Sequence, residues 1–221
     1  MKQARHPDEI ETIRVQILDT TLQLMAEQGF HAITMRKLAD RVGMTAPNLY
    51  NYFANKNELY VALMLSGFER LLKCLEQALA GVADPEERVF SAMKAYLAFA
   101  LGHPHHYQLM FSSDTPKYKE FEGTDLEHLS LQQHEQSMKL AGLGERLLRD
   151  LSSTTGNPHG SDAIRDILAT VWSLLHGMAT LTLSRNLNYL VEDLDIMLQN
   201  AATLLLSQWL RNTESHPEEQ G

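Results

Sequence analysis

Residues 29–56 read GFHAITMRKLADRVGMTAPNLYNYFANK, and this stretch decides the fold. Thr34 offers a hydroxyl to the amides that open a helix. Behind it Met35, Leu38, Ala39 and Val42 recur at spacings of three and four, which is one apolar face of a short helix. Gly43 follows the last apolar position and supplies the left-handed residue that ends a helix at little cost. Thr45 is then the expected N-cap of a second helix, with Pro47 in its first turn, where a missing amide costs nothing. This second helix is expected to run about two turns. It carries Asn48, Tyr50, Asn51 and Tyr52, side chains that donate to phosphates or hydrogen-bond base edges. Two short helices across a tight turn, the second rich in such groups, read as a helix-turn-helix with a recognition helix.

The flanks agree. A third helix is expected from Asn55, which can cap it while Glu58, three residues on, returns a bond to the cap's amide. Lys56 then stands at the first helical position, where its ammonium and the free amides both attract a phosphate. Ahead of the pair, residues 8–28 form an amphipathic helix with Ile10, Ile13, Ile17, Leu22 and Met25 on its apolar side, ended by Gly29.

With these residues in order, the segment 8–65 resembles the DNA-binding domain of the TetR family of transcriptional regulators. The likeness is carried by Gly29-Phe30, Thr34-Met35-Arg36, Leu38-Ala39, Val42-Gly43, Leu49-Tyr50, Tyr52-Phe53, Lys56 and Leu59. It implies that Arg36, Thr45, Asn48 and Asn51 face the major groove, while Thr34, Tyr50, Tyr52 and Lys56 hold phosphates. Leu49 and Phe53 read as core, and Tyr52 serves either the core or a phosphate. Ala46 has only a methyl to offer, suited to a thymine methyl contact.

The chain has 221 residues and a net charge of −9. One small domain fused to a larger one is the natural division. Residues 1–60 balance seven Lys or Arg against seven Asp or Glu, and residues 61–221 set twelve against twenty-one. That distribution argues against broad coating of nucleic acid and allows one focused contact surface. Cys74, the single cysteine, excludes an internal disulfide and suits a reducing compartment. No apolar run reaches the length of about 18 residues that marks a membrane span, and the N-terminus lacks the apolar segment of a signal peptide. The expected location is cytoplasmic, with no membrane partner.

The remainder reads as helical, giving an all-α chain of about nine helices. Further helices are expected over residues 55–80, 84–102, 103–111, 124–154, 161–186 and 190–211, with a polar loop at 112–120 and a polar, disordered tail. Residues 1–55 form the expected DNA-binding domain, residues 56–212 a ligand-binding and dimerisation domain, and residues 213–221 the tail.

Two features of the second domain bear on function. An aromatic and histidine-rich segment bends at Pro104, and such a bend can leave apolar space with a few polar tips, as in small-molecule pockets. The expected lining is Met93, Tyr96, Phe99, Tyr107, Met110, Met138, Trp172 and His176. The segments HPHHYQLMF and VWSLLHGM resemble the regulatory domain of one TetR subgroup. His103, His105 and His106 do not have metal-ligand spacing, since adjacent residues diverge on a helix and a proline separates the first. No metal and no cofactor are expected. His103 is the expected helix cap, one of His105 and His106 a surface residue, and His176 a hydrogen-bonded core residue before it is a ligand contact.

The second feature is the pair of helices over 161–186 and 190–211. Ile164, Ile167, Val171, Leu174, Leu175, Met178 and Leu181 recur at helical spacing, as do Leu194, Leu198, Ala201, Leu205 and Trp209. Leu168, Trp172, Leu204 and Leu206 widen these faces, so each helix has more than one side to bury. One side packs on its own domain, and the other is expected to pair with a second subunit. A single short recognition helix reads few bases, and a two-fold pair reads a palindrome.

The sequence therefore reads as a homodimeric, ligand-responsive regulator that binds a palindromic operator in double-stranded DNA, most simply a repressor released by a small apolar or aromatic effector. An activator or a ligand-independent regulator is the alternative within the family. From another class, a helical enzyme would use His103, His106 or His176 as general base. The chain shows no nucleophile elbow, phosphate loop or acid-base pair to accompany one, and no enzyme is expected.

Overall fold

The computed structural model describes residues 6–111, 118–154, 156 and 159–211, and the regular structure among them is entirely helical. The helices are α1 (Pro7–Gln28), α2 (Met35–Val42), α3 (Ala46–Leu49), α4 (Lys56–Leu79), α5 (Pro85–Gly102), α6 (Pro104–Phe111), α7 (Glu127–Ser153), α8 (Ser161–Leu183) and α9 (Leu194–Arg211). Short 3-10 turns occupy Phe30–Ala32, Tyr118–Phe121 and Leu187–Tyr189. The expected tail at 213–221 and most of the expected loop at 112–120 lie outside the described residues.

Local chemistry sets the ends of these helices. Asp84 Oδ1 accepts the amide of Glu87 at 2.8 Å ahead of α5. The sequence extends the eighth helix to 186 and starts the ninth at 190; the structure ends α8 at Leu183 and begins α9 at Leu194. Arg185 adopts a φ of 61°, a left-handed residue that a helix cannot continue through. Asp193 Oδ1 then accepts the amide of Ile196 at 3.0 Å and fixes the later start.

The chain forms two compact units. One runs through Arg70 and includes His103–Ser137; the other comprises Leu71–Gly102 and the chain from Met138 onward. In the first, Ile17, Leu24, Ile33, Met35, Leu38, Ala39, Leu49, Tyr52, Phe53 and Leu59 make a common core beneath α1–α3. Helix α6 belongs to this unit and packs on α1. It also lies against α4 at Gly67, where a Cβ would stand 2.7 Å from Met110 Sδ, so a larger residue there would displace that side chain. In the second unit α8 packs on α5 and α9. Its core includes Met93, Tyr96, Phe99, Ile164, Met178 and Leu198.

Among the described residues, α8 alone is long and apolar enough by composition to cross a membrane, with a mean hydropathy of 1.2. It also carries Asp162, Arg165 and Asp166 in its first turns and buries Ile164, Ile167, Val171, Leu175, Met178 and Ala179. Only 28% of that stretch is buried within the chain.

Candidate nucleic-acid interface and effector site

Helix α2 is held in place from both ends. Thr34, extended at φ −126° and ψ 151°, accepts the amide of Lys37 on its hydroxyl at 3.2 Å. Gly43 closes the helix in the left-handed conformation, at φ 77° and ψ 31°. Thr45 is the N-cap residue of α3 in backbone geometry, but its hydroxyl accepts no capping bond, which corrects the sequence expectation. The side chain is exposed instead.

The regular part of α3 is four residues, shorter than the two turns expected. Hydrogen bonds of the turn carry on past it: Tyr50 donates to the Ala46 carbonyl at 3.2 Å, Tyr52 to Leu49 at 3.0 Å and Phe53 to Leu49 at 3.2 Å. Asn55 Oδ1 accepts the amide of Glu58 at 2.9 Å, as the spacing required. Glu58 returns its bond to the amide of Ala54 at 2.6 Å rather than to Asn55, one residue earlier than expected.

The reading segment thus has two sides. Leu49, Tyr52 and Phe53 are buried in the core of the unit. Thr34, Arg36, Thr45, Tyr50 and Asn51 are exposed, and Asn48, Ala46 and Lys56 are half-buried. Ala46 packs against the core, so its methyl is partly spent there. Tyr52 is buried too, with its ring in the same core. Lys56 stands at the first position of α4, and partial burial lowers its pKa below the ordinary lysine value.

Arg14 is the residue that sequence reasoning missed. From α1 its guanidinium donates to the carbonyl of Tyr52 and lies 4.2 Å from the centre of the Phe53 ring. Its signal was present, because Arg14 falls one residue after Ile13 and three before Ile17 on an apolar helix, where a cation needs a partner. Arg41 is also committed: its two terminal nitrogens meet both oxygens of Glu27 at 3.2 and 2.6 Å, and the guanidinium holds the Glu27 carboxyl below its usual pKa.

The eight residues expected around an effector are divided between the two units. Tyr107 and Met110 lie on α6 in the first, buried against their neighbours there. Met93, Tyr96, Phe99, Met138, Trp172 and His176 lie in the second. Of these, Tyr96, Trp172 and His176 meet. The indole Nε1 donates to Tyr96 Oη at 3.2 Å, and Tyr96 Oη stands 3.0 Å from His176 Nε2. Burial lowers the pKa of His176, which favours neutral imidazole and lets the tyrosine hydroxyl donate to Nε2. Met93 and Phe99 are buried beside this group on α5, whereas Met138 is 56% exposed and Trp172 46%. His105 is exposed and His106 buried, as the pair's divergence on one helix requires.

Two family models match the chain. One, described as bacterial regulatory proteins of the tetR family, covers residues 17–63; the other, a tetracyclin repressor-like C-terminal domain, covers residues 89–205. The transcriptional activator FasR of Mycolicibacterium smegmatis is 33% identical over 101 residues, 46% of each chain. The transcriptional repressor KstR2 of Mycobacterium tuberculosis is 27% identical over 106 residues, 48% of this chain and 52% of that one. The chain thus spans about half the length of the curated relatives it matches. A solved structure from Rhodococcus sp. RHA1, of unknown function, superposes with a TM-score of 0.73 at 21% identity, covering 94% of this chain and 98% of that one, and shares its fold.

Proposed function

The chain belongs to the tetR family of bacterial regulatory proteins, and from that premise we propose that it is a homodimeric repressor that binds a palindromic operator and is released by a small apolar or aromatic molecule. The two-sided reading segment carries this proposal: Arg36, Thr45, Tyr50 and Asn51 are exposed and Asn48 is half-buried, over a buried Leu49 and Phe53. Thr34 and Lys56 flank the segment and hold phosphates, which fix register without reading sequence. The work divides at residue 55, with residues 1–55 reading DNA and residues 56–212 binding effector and partner.

Pairing through α8 and α9 is supported by what a single chain leaves uncovered. Trp172, Leu181, Ile196 and Leu204 are exposed, and Leu204 is 66% so. A second copy of the chain buries such a face and sets two reading segments for half-sites about 34–36 Å apart. The group of Tyr96, Trp172 and His176 gives an effector site an apolar body and a neutral polar tip, which suits an uncharged or weakly polar ligand. A ligand acts here only by binding one spacing of the dimer more tightly than the other. Helix α4 begins directly behind the reading segment, so a tilt of α4 displaces it. The protein acts in the cytoplasm, where its DNA is.

The test is a gel-shift titration on operator selected from genomic DNA, with and without apolar candidates, alongside sedimentation. Saturable binding to a palindrome by a dimer, weakened by one candidate class, is the expected result. Binding by a monomer, or equal affinity for random duplex, overturns the reading. An activator is the second reading, supported by the likeness to FasR, and in vitro transcription from the selected operator separates the two signs.

A further inference from the structure

Three side chains of the reading segment form a row. The amide of Asn48 donates to the Thr45 carbonyl at 3.0 Å, and the amide of Asn51 to the Asn48 carbonyl at 3.2 Å. The stretch also carries i→i+4 bonds, Leu49 to Thr45 at 3.1 Å and Tyr50 to Ala46 at 3.2 Å, so residues three apart fall close together on one face of a helical turn. Thr45, Asn48 and Asn51 share that face, and among the described residues none of the three side chains has a hydrogen-bond partner.

The cations around this row are nearly all committed. Residues 45–53 contain no Lys or Arg. On α2, Lys37 Nζ donates to the Ala32 carbonyl at 3.0 Å and lies 3.4 Å from Gln28 Oε1, and Arg41 is paired with Glu27. Arg36 is exposed and has no partner among the described residues.

A guanine is most often read by Arg or Lys through O6 and N7. An adenine is read by Asn or Gln, whose carbonyl accepts from N6 while the amide donates to N7. The geometry points to an operator half-site whose bases at the recognition turn are adenines, one taken by Asn48 and one by Asn51, with Arg36 making the guanine contact. Three residues of such a turn rise roughly 4.5–6 Å, against about 3.4 Å per base along a strand. The two adenines therefore stand within two base steps of each other. The assignment rests on the reading of the chain as a sequence-specific regulator.

The experiment uses the full-length protein in repeated selection from a random-sequence duplex library, followed by gel shifts on the selected site. Each selected adenine is replaced in turn by 7-deazaadenine, which lacks the N7 acceptor. Binding should fall about tenfold or more at the two adenines and little elsewhere. Asn48→Ala and Asn51→Ala should each erase the preference at one of those positions, and thereby its deaza effect, while the melting temperature shows that the fold is kept. A selected site whose preferences neither variant alters, or that holds guanines at both positions, overturns this assignment and leaves the regulator reading intact. A protein that enriches no sequence at all overturns both.

Discussion

The guanidinium of Arg14 sits 4.2 Å above the Phe53 ring and donates to the Tyr52 carbonyl, tying the first helix to the end of the reading segment across 38 residues of sequence. A cation over an aromatic face contributes about 0.5–2 kcal/mol depending on exposure, and a hydrogen bond to a part-buried carbonyl about 1 kcal/mol. The pairing therefore orients the end of the segment proposed to read DNA.

Arg14→Ala should lower stability by about 1–2 kcal/mol and weaken operator binding more than binding to random duplex, because it loosens the geometry on which base reading depends. Arg14→Lys should recover only part, since an ammonium lacks the planar fork that serves ring and carbonyl together. Thermal melts and paired gel shifts measure both. An equal drop in affinity for operator and random DNA would mean that Arg14 touches phosphate directly.

Lys56→Ala should reduce the dependence of log affinity on log salt by about one unit, because one phosphate fewer is neutralised and one counterion fewer released. Tyr50→Phe should weaken binding to every sequence alike while leaving the salt slope nearly unchanged. Titrations at several salt concentrations provide the check, and an unaltered slope in Lys56→Ala removes that lysine from the phosphate-binding surface.

Asn55→Ala removes the acceptor for the Glu58 amide at the start of α4. The cost should be about 1 kcal/mol, read as a shift of the urea midpoint at constant slope. Glu58→Gln should cost less, because its amide oxygen still reaches the Ala54 amide.

His106 gives a pH dependence of known sign. Burial, with Arg70, His103 and His105 nearby and Asp19 opposing them, pushes its pKa down from 6.5 to about 4. Above pH 6.5 the residue is neutral in both folded and unfolded chains and contributes no slope. As pH falls from 6.5 towards 4, the unfolded chain takes up a proton that the folded one refuses, and stability declines. Urea melts across that window should show a smaller decline for His106→Gln than for the parent protein. An identical decline would place the titrating group elsewhere.

Leu204→Glu puts a carboxylate on an exposed position of α9. A single chain should tolerate it, with helix content and melting of the monomer unchanged. A dimer formed through that face would bury an unpaired charge at a cost of several kcal/mol, so sedimentation should show monomer, and operator binding should disappear. A variant that remains a dimer overturns pairing through this part of α9.

What the sequence determined by itself was local. The Thr34 cap, the Gly43 stop, the Asn55 cap and the apolar face of α2 depend on residues within one or two helical turns, and hydrogen-bonding capacity and helical period make them readable in one dimension, whereas Ile10, expected on the apolar side of α1, is exposed and Leu24 is buried in its place. The helix-turn-helix and the all-α class follow from them. Tertiary structure decided which elements share a core. Helix α6 packs with α1 and against Gly67 of α4, a fit of shapes that no periodicity encodes. It also decided how Arg14 is neutralised, that Thr45 caps with its backbone alone, and that Tyr96 joins Trp172 to His176 across some 80 residues of chain. Such pairings arise only when distant segments are brought together, because their partners are chosen by packing rather than by spacing along the chain.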